Sequence, residues 1–320
     1  MKKLGILSAM ALGTLAFLIV PMASWAGGTV EGKVTFSGKP PAPKEFLFSK
    51  FPNPKFCVKN PNKDAKGEKR LLHEVEVGKD GALKNAVVAI EGINDEKFVA
   101  DFKGQDIQAE LCEFKPYTAV VVENQKSFRV VNTDEEAAQV EFIKKDGDQF
   151  VFKDLEMDPK DKKFKETKVK SLDTIRTDTG TLREADLKPG AKFVMVRGVL
   201  HNPHSFKVKG ASSATIFNIG LPDKGSKLDK PLKPNSPKPG ESIFRMQCDQ
   251  HEFMQVWALP VTNPYYAVVG EDGKFEIKDI PPGKYKVVAW HPALNKQKPL
   301  EQEIEVKDGA SASAKFEFKP

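Results

Sequence analysis

No stretch of the sequence carries the 3.6-residue apolar periodicity of a long amphipathic helix, which excludes helical bundles and doubly wound α/β folds. The phosphate-cradling G-x-x-x-x-G-K-[ST] loop is missing, as are a G-x-G-x-x-G opening a helix, G-x-S-x-G and H-E-x-x-H. Nucleotide-dependent transfer and the common hydrolase chemistries therefore lack their residues. The haem-attachment string C-x-x-C-H is absent too. The formal charge is +6, but acids are interspersed with the lysines throughout. That describes a solvated, mildly basic surface rather than a nucleic-acid-binding stripe. No tandem repeat is evident.

Beyond the first 26 residues there is no apolar run long enough to cross a bilayer. Those residues combine Lys2 and Lys3, the apolar stretch Leu4 to Val20, and the small-residue site Ser24-Trp25-Ala26. They read as a secretory signal cleaved after Ala26. The mature chain, Gly27 to Pro320, is expected in the periplasm or outside the cell, with no membrane span.

What the chain does contain is short β-rich runs bounded by Gly, Pro, Asn and Asp. GTVEGKVTF (28–36), NAVVAI (85–90), KFVMV (192–196), FEI (275–277), YKVVAW (285–290) and AKFEF (314–318) are of this kind. An all-β chain built of sandwiches is expected. Three segments read as loops or extended excursions: Lys39 to Lys69, Asp154 to Lys170 and Leu221 to Gly240, dense in Pro, Lys or mixed charge.

Three cysteines in a disulfide-permissive compartment leave at least one unpaired or bound to something else. Cys57 and Cys112 are expected to pair, with Cys248 as a metal thiolate. The sequence alone leaves another pairing, or none, open. Cys248 opens C-x2-H-x2-M in FRMQCDQHEFMQVWALPV, with His251 and Met254, and His201 opens HNPH upstream. A thiolate, two imidazoles and a thioether are the donors of a blue-copper site: the sulfurs favour Cu(I), and the imidazoles hold Cu(II) as well. Zinc also takes Cys and His, but Met is a poor zinc ligand and no second Cys or carboxylate has the right spacing. With five histidines in all, a second copper cluster of the oxidase kind is not evident.

These strings resemble the cupredoxins of the amicyanin and plastocyanin type, where C-x2-H-x2-M follows an aromatic-rich strand and the upstream ligand is the first His of H-N-x-H. The resemblance implies a Greek-key β-sandwich with one mononuclear type 1 copper on His201, Cys248, His251 and Met254. It gives Asn202 the part of bracing the ligand loop near the thiolate. It also implies one-electron exchange with partners such as c-type cytochromes or other periplasmic carriers, and no enzyme activity. Carriage or sequestration of copper, and an envelope or carbohydrate-binding module, are the alternatives. Phe253, Trp257 and Met246 are expected to form the dry shell. Met254 and Phe253 would give an apolar docking patch, and a ligand His edge the electron exit. His204 is expected on the opposite strand face from His201, near the surface. His73 and His291 have no ligand-spaced neighbours.

A second resemblance is carried by NPYYAVVGEDGKFEIKDIPPGKYKVVAWHP and by GTVEGKVTFSGKPP with NAVVAIEG. These resemble the carboxypeptidase regulatory-like β-sandwich, split between the chain ends. The expected organisation is 27–112 and 263–320 as its two parts, with the copper domain at 113–262. Val130-Val131-Asn132-Thr133-Asp134 resembles the V-x-N-x-D strand that leads straight to the His in smaller cupredoxin fusions. Here an insertion of about 135–190 separates them.

Overall fold

The computed structural model describes residues 27–157, 162–177 and 180–320. The expected signal, residues 1–26, lies outside them. Among the described residues no helix is long and apolar enough to cross a membrane. The chain is almost entirely β, arranged as two packed sandwiches and an inserted sheet.

The terminal sandwich joins the two chain ends. Gly28–Phe36 pairs in parallel with Ser311–Phe318 and antiparallel with Lys274–Ile280. Facing them are Tyr266–Val268, Val87–Glu91, Gly283–Trp290 and Leu300–Val306. Val30, Val34 and Phe36 point inward, as the period-two alternation requires, onto Ile277, Val287 and Phe316. Gly32 is obligatory in this pairing, because a Cβ there would sit 1.7 Å from the Ala314 carbonyl oxygen.

The inner sandwich lies between those ends in sequence. One sheet runs Ser212–Asn218, Pro203–Lys209, Ile243–Cys248, Gln255–Pro260, Thr118–Val121. The other runs Lys227–Lys230, Phe128–Asn132, Ile107–Ala109, Phe114–Lys115. The two sandwiches share a third apolar layer. Val87, Ala89, Val288 and Trp290 on one outer face meet Val120, Val122, Trp257 and Val261 on the other. Asn263 fixes the crossing: its amide donates to the Ile90 and Ile93 carbonyls, and its oxygen accepts from the Tyr265 N–H.

Three expectations change here. The boundary at 112/113 falls inside the inner sandwich, since Ile107–Ala109 pairs with Phe128–Asn132, and Phe48, Phe56 and Cys57 join the inner core. The excursion after Gly38 is thus a cap on the inner sandwich, with a ribbon of Lys44–Leu47 and Lys69–Leu72 and two single helical turns. Second, the insertion runs to Gly198. Lys192–Gly198, which lies past the expected end at about 190, pairs along Glu135–Asp146. Third, the charged stretch Asp154 to Lys170, expected as a loop or extended excursion, holds the end of the strand Gln149–Met157 and the strand Phe164–Val169, which pair with each other. Its last strand is mostly exposed on both faces, so charge does not oppose pairing there.

His291 is buried beneath the terminal sandwich, and burial pushes its imidazole down to about 4, against a weaker pull from the Lys84 backbone. Between the ordinary value of 6.5 and about 4, the unfolded chain binds a proton that the folded chain does not. Stability therefore falls as pH drops through that window, by about 3 kcal/mol at its lower end. Denaturant unfolding of wild type and His291→Gln at pH 7 and pH 4.5 should show the smaller loss in the variant; equal losses would contradict this reading.

Candidate metal centre

Cys248 ends the strand Ile243–Cys248, and two tight turns follow. The His251 N–H donates to the Cys248 carbonyl at 3.2 Å, and the Met254 N–H to the His251 carbonyl at 2.8 Å. The Cys248 N–H then closes onto the Met254 carbonyl at 3.1 Å. This fold of the C-x2-H-x2-M string brings all three side chains to one end of the inner sandwich, each fully buried. His201 arrives from the adjacent strand, since Pro203 pairs with Cys248. Its own backbone bridges Leu221 in both directions.

Ligand atoms of His201, Cys248 and His251 all lie within 4.8 Å of one another. The Cys248 sulfur is 4.0 Å from His201 Nδ1 and 3.7 Å from His251 Nδ1. On the far side of each ring stands a group that only accepts. His201 Nε2 is 2.8 Å from Asp134 Oδ2, and His251 Nε2 is 3.0 Å from the Pro52 carbonyl. Each Nε2 therefore carries the ring proton, and each Nδ1 lone pair is turned toward the sulfur. Burial pushes the Cys248 thiol up to about 11, against the backbone N–H groups of Asn202, Gln250 and His251. A buried soft sulfur with two oriented imidazoles, with Met254 buried in the same core, has donor chemistry that fits a copper ion of the blue type.

Asp134 holds more than the imidazole. Its two oxygens accept the N–H groups of Leu111 and Cys112 at 2.6 and 2.9 Å. Asn132 donates to the Val199 and Leu221 carbonyls at 2.8 and 2.9 Å, flanking His201, and its oxygen accepts the Asp134 N–H. The insertion thus leaves after Asp134 and returns at Val199 with its neck closed, Glu135 opposite Gly198. Gly198 permits this closure, since a Cβ there would stand 2.2 Å from the Pro222 carbonyl oxygen.

Asn202 acts through its backbone, whose N–H donates to the Cys248 sulfur at 3.2 Å, while its side chain reaches Asp249 at 3.4 Å. His204 turns away from the site, stacked on Phe206 and bonded to Asp249 and Thr215. Cys57 and Cys112 form a disulfide, and Cys248 is the free cysteine. Met246 and Phe253 belong to the inner core around the donors. Trp257 does not: Val256 and Ala258 take the inward parity, so Trp257 faces the other sandwich. The expected docking patch is covered as well. Phe46, Phe48 and Phe51 of the cap pack on the Phe253 ring at 5.7, 6.3 and 5.1 Å, and Phe253 is buried. The edge of His251 meets Pro52 rather than solvent.

Against known families, residues 256–314 match the model described as polysaccharide lyase family 4, domain II. The matched segment begins in the strand Gln255–Pro260 and continues through the C-terminal part of the terminal sandwich, agreeing with its all-β architecture. No curated protein and no solved structure matches the chain.

Replacing Asp134 by Ala should strand the buried Cys112 N–H and the half-buried Leu111 N–H and release the His201 ring. A stability loss of about 2–4 kcal/mol in denaturant unfolding is expected, with copper affinity lowered about 10–100-fold in chelator competition. Unchanged affinity in a folded variant would remove Asp134 from the centre.

Proposed function

We propose that the protein is an exported type 1 copper protein that carries single electrons between periplasmic redox partners such as c-type cytochromes. The observation that supports this most is the pair of Nδ1 atoms held toward a buried, unpaired cysteine sulfur. Copper bound there supplies a one-electron couple between Cu(I) and Cu(II). The chain contributes rigidity. His201 is held by Asp134, His251 by Pro52, and the sulfur accepts the Asn202 N–H, so the donors have little freedom to rearrange when the charge changes.

Enclosure favours an electron carrier over a copper carrier. Electrons cross a thin protein layer, whereas metal exchange requires the donors to open to solvent. At Pro52 the cap both accepts from His251 Nε2 and lines the space outside it. Beyond Pro52 lies a cleft of about 240 Å³ between the cap and the inserted sheet, lined by Lys55, Glu136, Glu156 and Arg197 among others. In this reading that cleft takes the place of the apolar patch as the exit toward a partner.

A second reading follows from the match at 256–314: a carbohydrate-binding envelope module, with the buried donors incidental to it. One experiment separates the two. The chain from Gly27 to Pro320 with one equivalent of Cu(II) should develop an intense visible thiolate-to-copper band, absent in Cys248→Ala, and a reversible couple in protein-film voltammetry. A colourless protein without a couple would sink the electron-transfer reading. Polysaccharide retention by both proteins alike would then put the second reading first.

A further inference from the structure

The disulfide stands beside the donors. Sulfur atoms of Cys57 and Cys112 and a ring nitrogen of His251 lie within 4.8 Å of one another, all three residues buried. Cys57 approaches from the same side as Pro52: its sulfur is 3.9 Å from the Pro52 carbonyl oxygen, the group that accepts from His251 Nε2 at 3.0 Å. His251 Nδ1 faces Cys248 on the other side of the ring. One imidazole therefore stands between two sets of sulfur donors.

We propose that in its dithiol state the protein has a second Cu(I) site, made by Cys57, Cys112 and His251 Nε2, which serves as the entry site of the centre. This rests on the copper reading above. Cysteines are made as thiols and become disulfides only in an oxidising compartment, so every chain passes through the dithiol state. Two thiolates with an imidazole are soft donors that select Cu(I). Binding is a proton exchange: Cu(I) takes the two sulfurs and both thiol protons leave to solvent. The ring proton of His251 moves from Nε2 to Nδ1, freeing Nε2 from Pro52.

That last step makes the two sites alternatives. A neutral imidazole has one ring proton, so His251 serves Cys248 through Nδ1 or the cysteine pair through Nε2, not both. Exchange with a protein or small-molecule disulfide of the oxidising compartment closes the bond: that disulfide takes the two electrons and leaves as two thiols, the ion passes as Cu(I) to Cys248 with loss of its thiol proton, and the ring proton of His251 returns to Nε2 opposite Pro52. The inner set of His201, Cys248, His251 and Met254 is then the one left to hold the ion. The same bond ties the cap over that set.

The test uses the mature chain carrying Cys248→Ser, which removes the inner thiolate and leaves the outer pair intact. It is prepared with the disulfide formed and, separately, reduced by a trialkylphosphine and desalted without oxygen. Thiol counts of zero and two verify the states, and near-UV circular dichroism verifies the packing of the cap. Cu(I) is then titrated against a chromophoric Cu(I) chelator. One equivalent is expected in the dithiol form, with ultraviolet thiolate-to-Cu(I) absorption, at an affinity at least about a hundredfold above the disulfide form. Adding His251→Ala to the dithiol form should lower the affinity about tenfold or more.

Equal affinity in the dithiol and disulfide forms overturns the proposal. So does an affinity unaffected by His251→Ala, which would mean two thiols binding without the built geometry, including the case in which reduction loosens the cap. Failure of the copper reading itself shows elsewhere, in a disulfide-bonded wild-type protein that develops no visible band with Cu(II).

Discussion

The carboxylate of Asp134 is the constraint on which the rest of the site depends. It is buried and accepts from the N–H groups of Leu111 and Cys112 while standing against His201 Nε2. Leu111 and Cys112 are consecutive residues at φ 51° and 54°, a backbone that turns both amides toward one anion. Each left-handed residue costs about 1–2 kcal/mol, and the charge-assisted hydrogen bonds they make possible offset it. The return is geometric. One side chain sets the position of the disulfide, the course of the cap and the tautomer of a donor histidine.

From that anchor the burial of the site follows. Cys112 is placed by Asp134, and Cys57 is placed by Cys112, so the helical turn Pro54–Cys57 can only lie over the end of the sandwich. Pro52 then reaches His251, and the three phenylalanines before it meet Phe253. Arg70 closes the same face. It is almost wholly buried, paired with Glu113 and stacked on Phe253 at 5.8 Å. Lysine could not replace it, because the guanidinium also donates to the Asn62 and Leu71 carbonyls from one nitrogen while another reaches Glu113.

The all-β architecture was legible because it rests on local signals, and so was the string that brings Cys248 and His251 together beside His201. Period-two alternation marks Gly28–Phe36, and a three-residue spacing puts Cys248, His251 and Met254 on successive tight turns. The outward face of Trp257 was readable by the same parity from Val256 and Ala258, and the pull of an aromatic near the donors obscured it. Asp134 was in view within V-x-N-x-D, but its partner His201 is 67 residues away, and nothing local tells a buried acid from a surface one. The cap left one signal only, the expected pairing of Cys57 with Cys112. Lys39 to Lys69 has the composition of a loop, and what orders it is contact with Phe253 and His251 some two hundred residues later, plus one covalent bond. Strand pairing in the stretch Asp154 to Lys170 was hidden for the opposite reason: a strand exposed on both faces has no apolar period to show.

The long insertion and the intact site are compatible for a physical reason. The cost of closing a loop rises only with the logarithm of its length, so what matters is whether the two ends are held. Here they are held twice. Inside the sandwich, Asn132 binds the Val199 carbonyl, and the Val199 N–H donates to the Asp134 carbonyl. Outside it, Glu135–Asp146 and Lys192–Gly198 zip together from the first residue, and the insertion packs its own core of Val140, Phe142, Phe152 and Met195. Strain carried along the backbone of the inserted sheet meets that paired neck before it reaches His201, while the sheet's other contact is with the cap, where Asn53 donates to Glu136 and Lys55 pairs with Glu156. The position of His201 is thereby insulated from the path of a segment of some sixty residues, and the inserted sheet, through its contacts with the cap, shapes the cleft beyond Pro52.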